Sequence, residues 1–322
     1  MAEEKKQCIH CGACTGNCDF LRKYQMDIGN EEKVKELAYH CFLCGKCGSV
    51  CPAGIDGREV FLQARRSLTA ENGGKVAADG YDMLVKEKQN YIFRNYKNVT
   101  AGTVLFPGCN FPSFYPKTTK MLAALLKKKG IGTVYDCCGK PIAELGLAVQ
   151  EERIIRQIDE RLKKAGVEEV IMLCPNCYYF LKGKLSVRVT GIYEALERLG
   201  IGRRIEEDRM YLFTPCPDKE SRLWQQQMRS FLPENVRVID EIQCCGLGGC
   251  ARGKEPEISA GFTEKLREKN YKNIYTYCGS CAGKFARDGM KNVHHMLVDI
   301  LETGELPDTA KSMINRTMSK FW

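Results

Sequence analysis

The residues of this chain most able to do chemistry are its nineteen cysteines, spread over 322 residues and grouped by spacing. Cys8-Ile-His-Cys11-Gly-Ala-Cys14-Thr-Gly-Asn-Cys18 reads C-x2-C-x2-C-x3-C. Cys41-Phe-Leu-Cys44-Gly-Lys-Cys47-Gly-Ser-Val-Cys51 repeats that run and adds Pro52. Three thiolates on a tight turn can wrap three irons of one cubane, while the fourth points away to a neighbouring cluster. The spacing predicts two [4Fe-4S] clusters with crossed ligands: Cys8, Cys11, Cys14 and Cys51 on one, Cys18, Cys41, Cys44 and Cys47 on the other. Gly12 and Gly45 let the backbone approach, so that amide N–H groups reach the sulfurs. C-x2-C pairs also build zinc ribbons, but two full four-cysteine runs make structural zinc the weaker reading. His10 and His40 stand beside these cysteines and read as hydrogen-bonding neighbours.

Beyond residue 100 the cysteines mark an internal repeat. Cys109 and Cys216, and Cys137-Cys138-Gly139 and Cys244-Cys245-Gly246, stand 107 residues apart. Cys174-Pro-Asn-Cys177 and Cys278-Gly-Ser-Cys281 stand 104 apart, as do the closing helices predicted at Ile192–Gly200 and Met296–Gly304. One loop deletion of three residues explains the change, so the half-chain is a duplication. Each copy offers five thiols as C…CCG…C-x2-C. A cubane takes four, so either one thiol is spare in each copy or the cluster is not an ordinary cubane. Adjacent cysteines sit awkwardly on one tetrahedral ion and suit a larger cluster. Cys250 falls outside the pattern. Gly246-Leu-Gly-Gly249 lacks the G-x-G-x-x-G of a dinucleotide site and reads as backbone closing on a cluster. Tyr178-Tyr179-Phe180 reads as helix core. His294-His295 read as a packed helix start, with a proton donor near the second cluster as the alternative.

These thiols need elements to hold them. Thr103–Phe106, Thr133–Tyr135 and Val170–Leu173 are strand-like; 117–129 and 151–165 have helical periodicity, with Gly130 and Gly166 as C-caps. Met210–Phe213 opens the second copy in the same way. Strand–helix alternation implies a parallel sheet with right-handed crossovers. Each cysteine group follows a strand, at the edge where such sheets place their sites. The expected fold is α/β: two tandem repeats with short parallel sheets, preceded by a small helical two-[4Fe-4S] domain containing a helix near Glu31–Tyr39. The domains read as 1–60 for the cluster segment, 61–100 for a helical linker broken at Asn72-Gly73-Gly74, 101–202 and 203–306 for the repeats, and 307–322 for a tail.

Composition excludes several classes. With 44% hydrophobic and 28% charged residues the chain is an ordinary globular one. Its +9 charge reads as a lysine-rich solvated surface, offset by about −2 for each oxidised four-thiolate cubane. No basic patch patterned for nucleic acid is present. No apolar run approaches the ~18 residues of a membrane span, and Met1–Gln7 has no apolar h-region. A disulfide scaffold is disfavoured by the odd cysteine count, the length and the absence of an export signal. The expectation is a cytoplasmic protein able to sit peripherally on a membrane complex.

The C…CCG…C-x2-C pattern, duplicated behind a two-cluster ferredoxin segment, resembles the CCG domains of heterodisulfide reductase catalytic subunits. It is also similar to the iron–sulfur subunits of glycolate oxidase, lactate-utilisation and anaerobic glycerol-3-phosphate dehydrogenases. The resemblance covers nearly the whole chain. It implies a non-cubane [4Fe-4S] cluster on each repeat, with Cys109, Cys137, Cys138, Cys174 and Cys177 as one ligand set and Cys216, Cys244, Cys245, Cys278 and Cys281 as the other. It also implies that these ten cysteines form the active sites where a small-molecule or protein disulfide is reduced. Some relatives hold zinc in one repeat, which leaves zinc in one site as an alternative. The gap from the first cysteine to the CC pair is short for the family, and Cys250 is extra; both bear on cluster geometry rather than metal binding. With no flavin or nicotinamide motif visible, electrons must come from another protein. The resemblance implies a flavin-containing donor or dehydrogenase subunit within a hetero-oligomeric complex. The competing reading from the same resemblance is an electron-relay subunit of a flavin-dependent hydroxy-acid or glycerol-3-phosphate dehydrogenase.

Overall fold

Val104, Leu105 and Phe106 are fully buried, as are Val170, Ile171 and Met172. Continuous apolar runs of this kind are what a sheet covered on both faces requires. In the computed structural model, which describes residues 6–322, they pair in parallel, Val104 with Val170 and Leu105 with Ile171. The reading of the N-terminus as free of an export signal falls largely on residues 1–5, outside the described residues. The first sheet contains β1 (Asn95–Asn98), β2 (Gly102–Phe106), β3 (Gly132–Tyr135), β4 (Val167–Met172) and β5 (Arg188–Gly191), in the order β1-β3-β2-β4-β5. The second contains β6 (Met210–Phe213), β7 (Val236–Ile239), β8 (Ile274–Thr276) and β9 (Val293–His295), in the order β7-β6-β8-β9. Strands β2 to β5 and β6 to β9 follow the same parallel order, so the duplication read from the cysteines is also a duplication of topology.

Two segments differ from their reading. Residues 61–100 contribute helices at Gly57–Glu71 and Asp82–Gln89, but also β1, an edge strand antiparallel to β3. Its sequence, Asn-Tyr-Lys-Asn, has no apolar alternation to announce it; an edge strand with one neighbour needs none. Residues 307–322 are not a bare tail: Ser312–Met318 is a helix. It reaches the first repeat through Ser113 Oγ, which donates to Ser312 O at 2.6 Å, and Arg316, which donates to Asn110 Oδ1 at 2.9 Å.

The cluster segment is built of short helices around a small core of Phe20, Leu21, Met26, Ile28, Val34, Leu43 and Phe61. It docks on both repeats. Phe42 meets Phe262 edge to face at 5.4 Å. Arg65, fully buried, donates to Ala38 O and Cys41 O in the segment, to Glu144 O in the first repeat and to Gly249 O in the second, at 2.6–2.9 Å. Buried Glu255 accepts from Lys23 and Tyr24, each at 2.6 Å, and lies 2.6 Å from His40 Nδ1. Gly248 and Gly249 press against the backbone of Cys41 and Phe42, where a Cβ has no room.

Candidate metal centres

The eight N-terminal thiols divide between two cavities. Cys8, Cys11, Cys14 and Cys51 line one, with Gly12 and Ile28. Cys18, Cys41, Cys44 and Cys47 line the other, with Phe20, Phe42, Phe61 and Gln243. Cys18 thus stands with the second run and Cys51 with the first. The two runs wind alike: His10 and Gly12 in one, and Leu43 and Gly45 in the other, all have positive φ. This turn aims backbone N–H groups at sulfur, His10 N at Cys8 Sγ and Leu43 N at Cys41 Sγ, both at 3.4 Å. His10 Nδ1 lies 2.9 Å from Asp27. His10 and His40 therefore both meet carboxylates.

The ten repeat thiols form one continuous array. In the first repeat Cys109 lies against Cys137, Cys138 reaches Cys177, and Cys177 meets Cys174. In the second, Cys216 Sγ is 3.7 Å from Cys244 Sγ, Cys245 reaches Cys281, and Cys281 meets Cys278. The two sets abut where Cys174 contacts Cys278. Each set collects at the C-terminal ends of three neighbouring strands: β2, β3 and β4 for the first, β6, β7 and β8 for the second. The CCG glycines, Gly139 at φ 88° and Gly246 at φ 85°, turn the chain in a left-handed conformation that a side chain would strain. The array also continues into the cluster segment, because Cys44 contacts Cys244.

The electrostatics favour thiolates at particular points. Cys44 is pulled down to about 6, chiefly by the hydrogen bond from Cys244 against the effect of burial. Cys138 falls to about 5 through its contacts with Cys137 and Cys177. Burial pushes Cys41 up to about 12 and Cys18 up to about 11. Lys140, which follows the first CCG, is within electrostatic reach of Cys138 and Cys216, one thiol from each set. Lys88 faces Cys109 and Cys137, and Arg316 faces Cys109.

The donor sets fit iron–sulfur clusters. Four thiols converge on each of two small cavities, and the repeats add two five-thiol sets at sheet edges. Among the described residues Tyr115 Oη, Tyr193 Oη and His295 Nε2 are buried without hydrogen-bond partners, and all three are within electrostatic reach of Cys278. Cys250 stands apart: its charged neighbours are Glu144, Arg65, Lys140 and Lys88 rather than other thiols. His295 caps the helix Met296–Ile300, its Nδ1 accepting from Leu297 N, and burial holds it down to about 3. It is neutral at physiological pH, as a packed helix start requires. Tyr178 is core, and Tyr179 reaches Asp218 through its hydroxyl.

Sequence reasoning missed Gln243, whose Nε2 lies 3.3 Å from Cys18 Sγ and 3.5 Å from Cys44 Sγ. It also missed Asn176, which donates to Cys278 Sγ at 3.4 Å across the junction of the repeats. The available signal was position alone, one residue before the CC pair and one inside the C-x2-C.

Fold and thiol geometry together define an iron–sulfur protein of the cysteine-rich, CCG type. Known families agree: residues 103–182 and 210–286 each match the Cysteine-rich domain (CCG) family, and residues 4–55 match the 4Fe-4S dicluster domain. The chain belongs to the heterodisulfide reductase-like CCG-domain iron–sulfur proteins with an N-terminal two-cluster ferredoxin segment. An uncharacterized iron–sulfur protein of Methanocaldococcus jannaschii is 26% identical over 90% of this chain and 69% of its own length. One subunit of the fumarate reductase (CoM/CoB) of Methanothermobacter marburgensis is 23% identical over 85% and 66%. One subunit of the dihydromethanophenazine:CoB–CoM heterodisulfide reductase of Methanosarcina barkeri is 25% identical over 84% and 78%. The chain thus spans about two thirds of the length of several of its curated relatives. A hypothetical protein from Helicobacter pylori shares the fold, with TM-score 0.58 at 9% identity over 88% of this chain and 66% of that one. Among the described residues no helix is long and apolar enough to cross a membrane.

Proposed function

We propose that this chain is the iron–sulfur subunit of a hetero-oligomeric oxidoreductase. Electrons pass from the two ferredoxin sets to the repeat sets, where a disulfide is reduced. The observation that carries this reading is the abutment of the two five-thiol sets at Cys174 and Cys278, with the ferredoxin set joined to them at Cys44 and Cys244. Bound clusters supply storage for single electrons, and cleavage of RSSR to two RSH consumes two electrons and two protons. Cys8, Cys11, Cys14 and Cys51 hold the first cluster, and Cys18, Cys41, Cys44 and Cys47 the second. Cys109, Cys137, Cys138, Cys174 and Cys177, and Cys216, Cys244, Cys245, Cys278 and Cys281, hold the two clusters of the repeats. The residues around them bury the thiols, donate hydrogen bonds to sulfur, as Asn176 does to Cys278, and put the Lys140 cation, paired with Glu144, within electrostatic reach of Cys138 and Cys216. The electron donor in this reading is a flavin-containing partner subunit, as the family resemblance implies. The relatives' names support a redox subunit, since they belong to a heterodisulfide reductase and a fumarate reductase (CoM/CoB).

A second reading is favoured by burial. Eight of the ten repeat thiols are buried, leaving only Cys109 and Cys216 part-exposed, as suits a relay that passes electrons onward without touching a substrate. A relative from Syntrophomonas wolfei called EtfAB:quinone oxidoreductase, 23% identical over 80% of this chain and 44% of its own length, accords with it. The test is anaerobic. Added thiol should perturb the paramagnetic signals of the repeat clusters only, and a low-potential donor should drive consumption of a small disulfide. Cys137→Ala or Cys244→Ala should abolish turnover while ferredoxin-type reduction persists. If thiols change no signal and no disulfide is consumed, while a flavoprotein partner reduces the clusters rapidly, the relay reading replaces this one.

A further inference from the structure

Gln243 stands directly before Cys244 and Cys245, where the first repeat carries Asp136 before Cys137 and Cys138. Its side chain is buried, and its Oε1 accepts from Asp19 N at 3.0 Å. A backbone N–H only donates, so this contact fixes the amide orientation: oxygen faces Asp19, and the two N–H bonds of Nε2 turn the other way. There Nε2 meets Cys18 Sγ at 3.3 Å and Cys44 Sγ at 3.5 Å. One side chain from the second cysteine-rich repeat therefore spans two of the four thiols in the neighbouring ferredoxin set. Asp136, the duplicated position, instead accepts from Cys137 N at 2.8 Å and from the Tyr96 hydroxyl at 3.0 Å. The amide donor is present in the repeat that packs on the ferredoxin set, and the other repeat has an acceptor in its place.

We propose that Gln243 is a positioning residue that sets the reduction potential of the cluster held by Cys18, Cys41, Cys44 and Cys47. Reduction adds negative charge, part of which the sulfurs carry, and hydrogen bonds to sulfur favour that more negative state. Two N–H···S bonds from one amide make this cluster easier to reduce. The same cluster abuts the second repeat through Cys44 and Cys244, so Gln243 sets the driving force of the step that leaves the ferredoxin segment. The inference rests on the ligand sets proposed above.

The experiment is a redox titration of the full-length, cluster-loaded chain followed by paramagnetic resonance. Gln243→Leu should disfavour reduction of one ferredoxin-type cluster about tenfold, a shift of 59 mV to more negative potential for a one-electron couple. Gln243→Glu keeps an acceptor for Asp19 N but turns a carboxylate toward the sulfurs, so it should shift the same cluster further in the same direction. The cluster held by Cys8, Cys11, Cys14 and Cys51 is the internal reference and should not move. Unchanged potentials in both variants overturn the inference. If the wild type itself shows fewer than two ferredoxin-type signals, the ligand assignment fails instead. Should both variants load poorly, pulsed resonance on wild-type protein labelled with 15N at the glutamine side-chain amide decides: a coupling to the reduced cluster supports the inference, and its absence overturns it.

Discussion

Arg65 is the residue whose loss should most clearly separate the ferredoxin segment from the repeats. Its guanidinium is fully buried and donates to four carbonyls: Ala38, Cys41, Glu144 and Gly249. It also lies 5.2 Å from the centroid of the Tyr39 ring. Arg65→Met keeps much of the apolar stem and removes every donor. Hydrogen bonds to a charged group are worth about 1.5–3 kcal/mol each. Removing the charge returns several kcal/mol of its own burial cost, which leaves a net loss of about 3–5 kcal/mol. That is a large share of the 5–15 kcal/mol that typically holds a folded protein together. The loss should appear as undocking rather than cluster loss, since all eight ferredoxin thiols lie within residues 8–51. Hydrogen exchange should rise at residues 38–42, 144–146 and 248–250 together. The ferredoxin clusters should still take up electrons but no longer pass them to the repeat clusters. Arg65→Lys, a point charge without the planar fork, should fall between wild type and Arg65→Met. If Arg65→Met costs under about 1 kcal/mol and electron transfer between segment and repeats survives, the guanidinium is not what couples them.

Further outcomes follow from the thiol geometry and the docking contacts. Two cubanes and two repeat clusters amount to about 16 iron atoms per chain, and iron near half that amount without zinc, measured after anaerobic purification, would refute loading of both repeats. Cys18→Ala should damage the cluster of Cys41, Cys44 and Cys47, with which Cys18 shares a cavity; spectral damage confined to the Cys8 cluster would refute crossed ligation. Cys250→Ala should keep full iron content while Cys245→Ala loses a cluster, and equal losses would make Cys250 a ligand. Glu255→Ala should cost about 2 kcal/mol by removing the acceptor for Lys23 and Tyr24 and the partner of His40. Burial pushes the Glu255 carboxyl up, but the hydrogen bonds of those three residues outweigh it and hold it below the usual range. Its contribution is therefore complete above about 4.3, the unfolded value, and fades as pH falls through the lower folded value. A denaturation series in which Glu255→Ala costs the same at every acidic pH would contradict that pairing.

What the sequence revealed, and what it concealed, divides along the range of the interactions involved. Covalent spacing decides which thiols a tight turn can present together, so the grouping of Cys18 with the second run and Cys51 with the first is legible from the runs alone. Apolar runs buried on both faces announce β2, β4 and β6, and their order places each cysteine group at one sheet edge. The meeting of Cys174 with Cys278, the reach of Gln243 to Cys18 and Cys44, and the four carbonyls around Arg65 join residues distant in sequence. Neither periodicity nor spacing records a contact of that kind. β1 was hidden for a different reason: an edge strand of Asn-Tyr-Lys-Asn satisfies its backbone on one side only and needs no apolar face. The helix Ser312–Met318 was hidden because several of its apolar residues, Met313, Ile314 and Met318, stay exposed.

Duplication alone explains two like thiol sets but not their different surroundings. Each repeat collects five thiols at the end of a parallel sheet, and the sets meet head to head, so the pair is symmetric at Cys174 and Cys278. The ferredoxin segment breaks that symmetry. Its second thiol set touches Cys244 and not Cys137, and the residue before the CC pair is an amide donor on that side and a carboxylate acceptor on the other. The first repeat has instead Lys88 beside Cys109 and Cys137 and Arg316 beside Cys109, cations drawn from the segments before and after the repeats. A chain of two identical sites would have no preferred direction for electrons. Under the electron path proposed above, the added segments would give it one, with the second repeat's thiols next to the ferredoxin set and the first repeat's thiols beyond them.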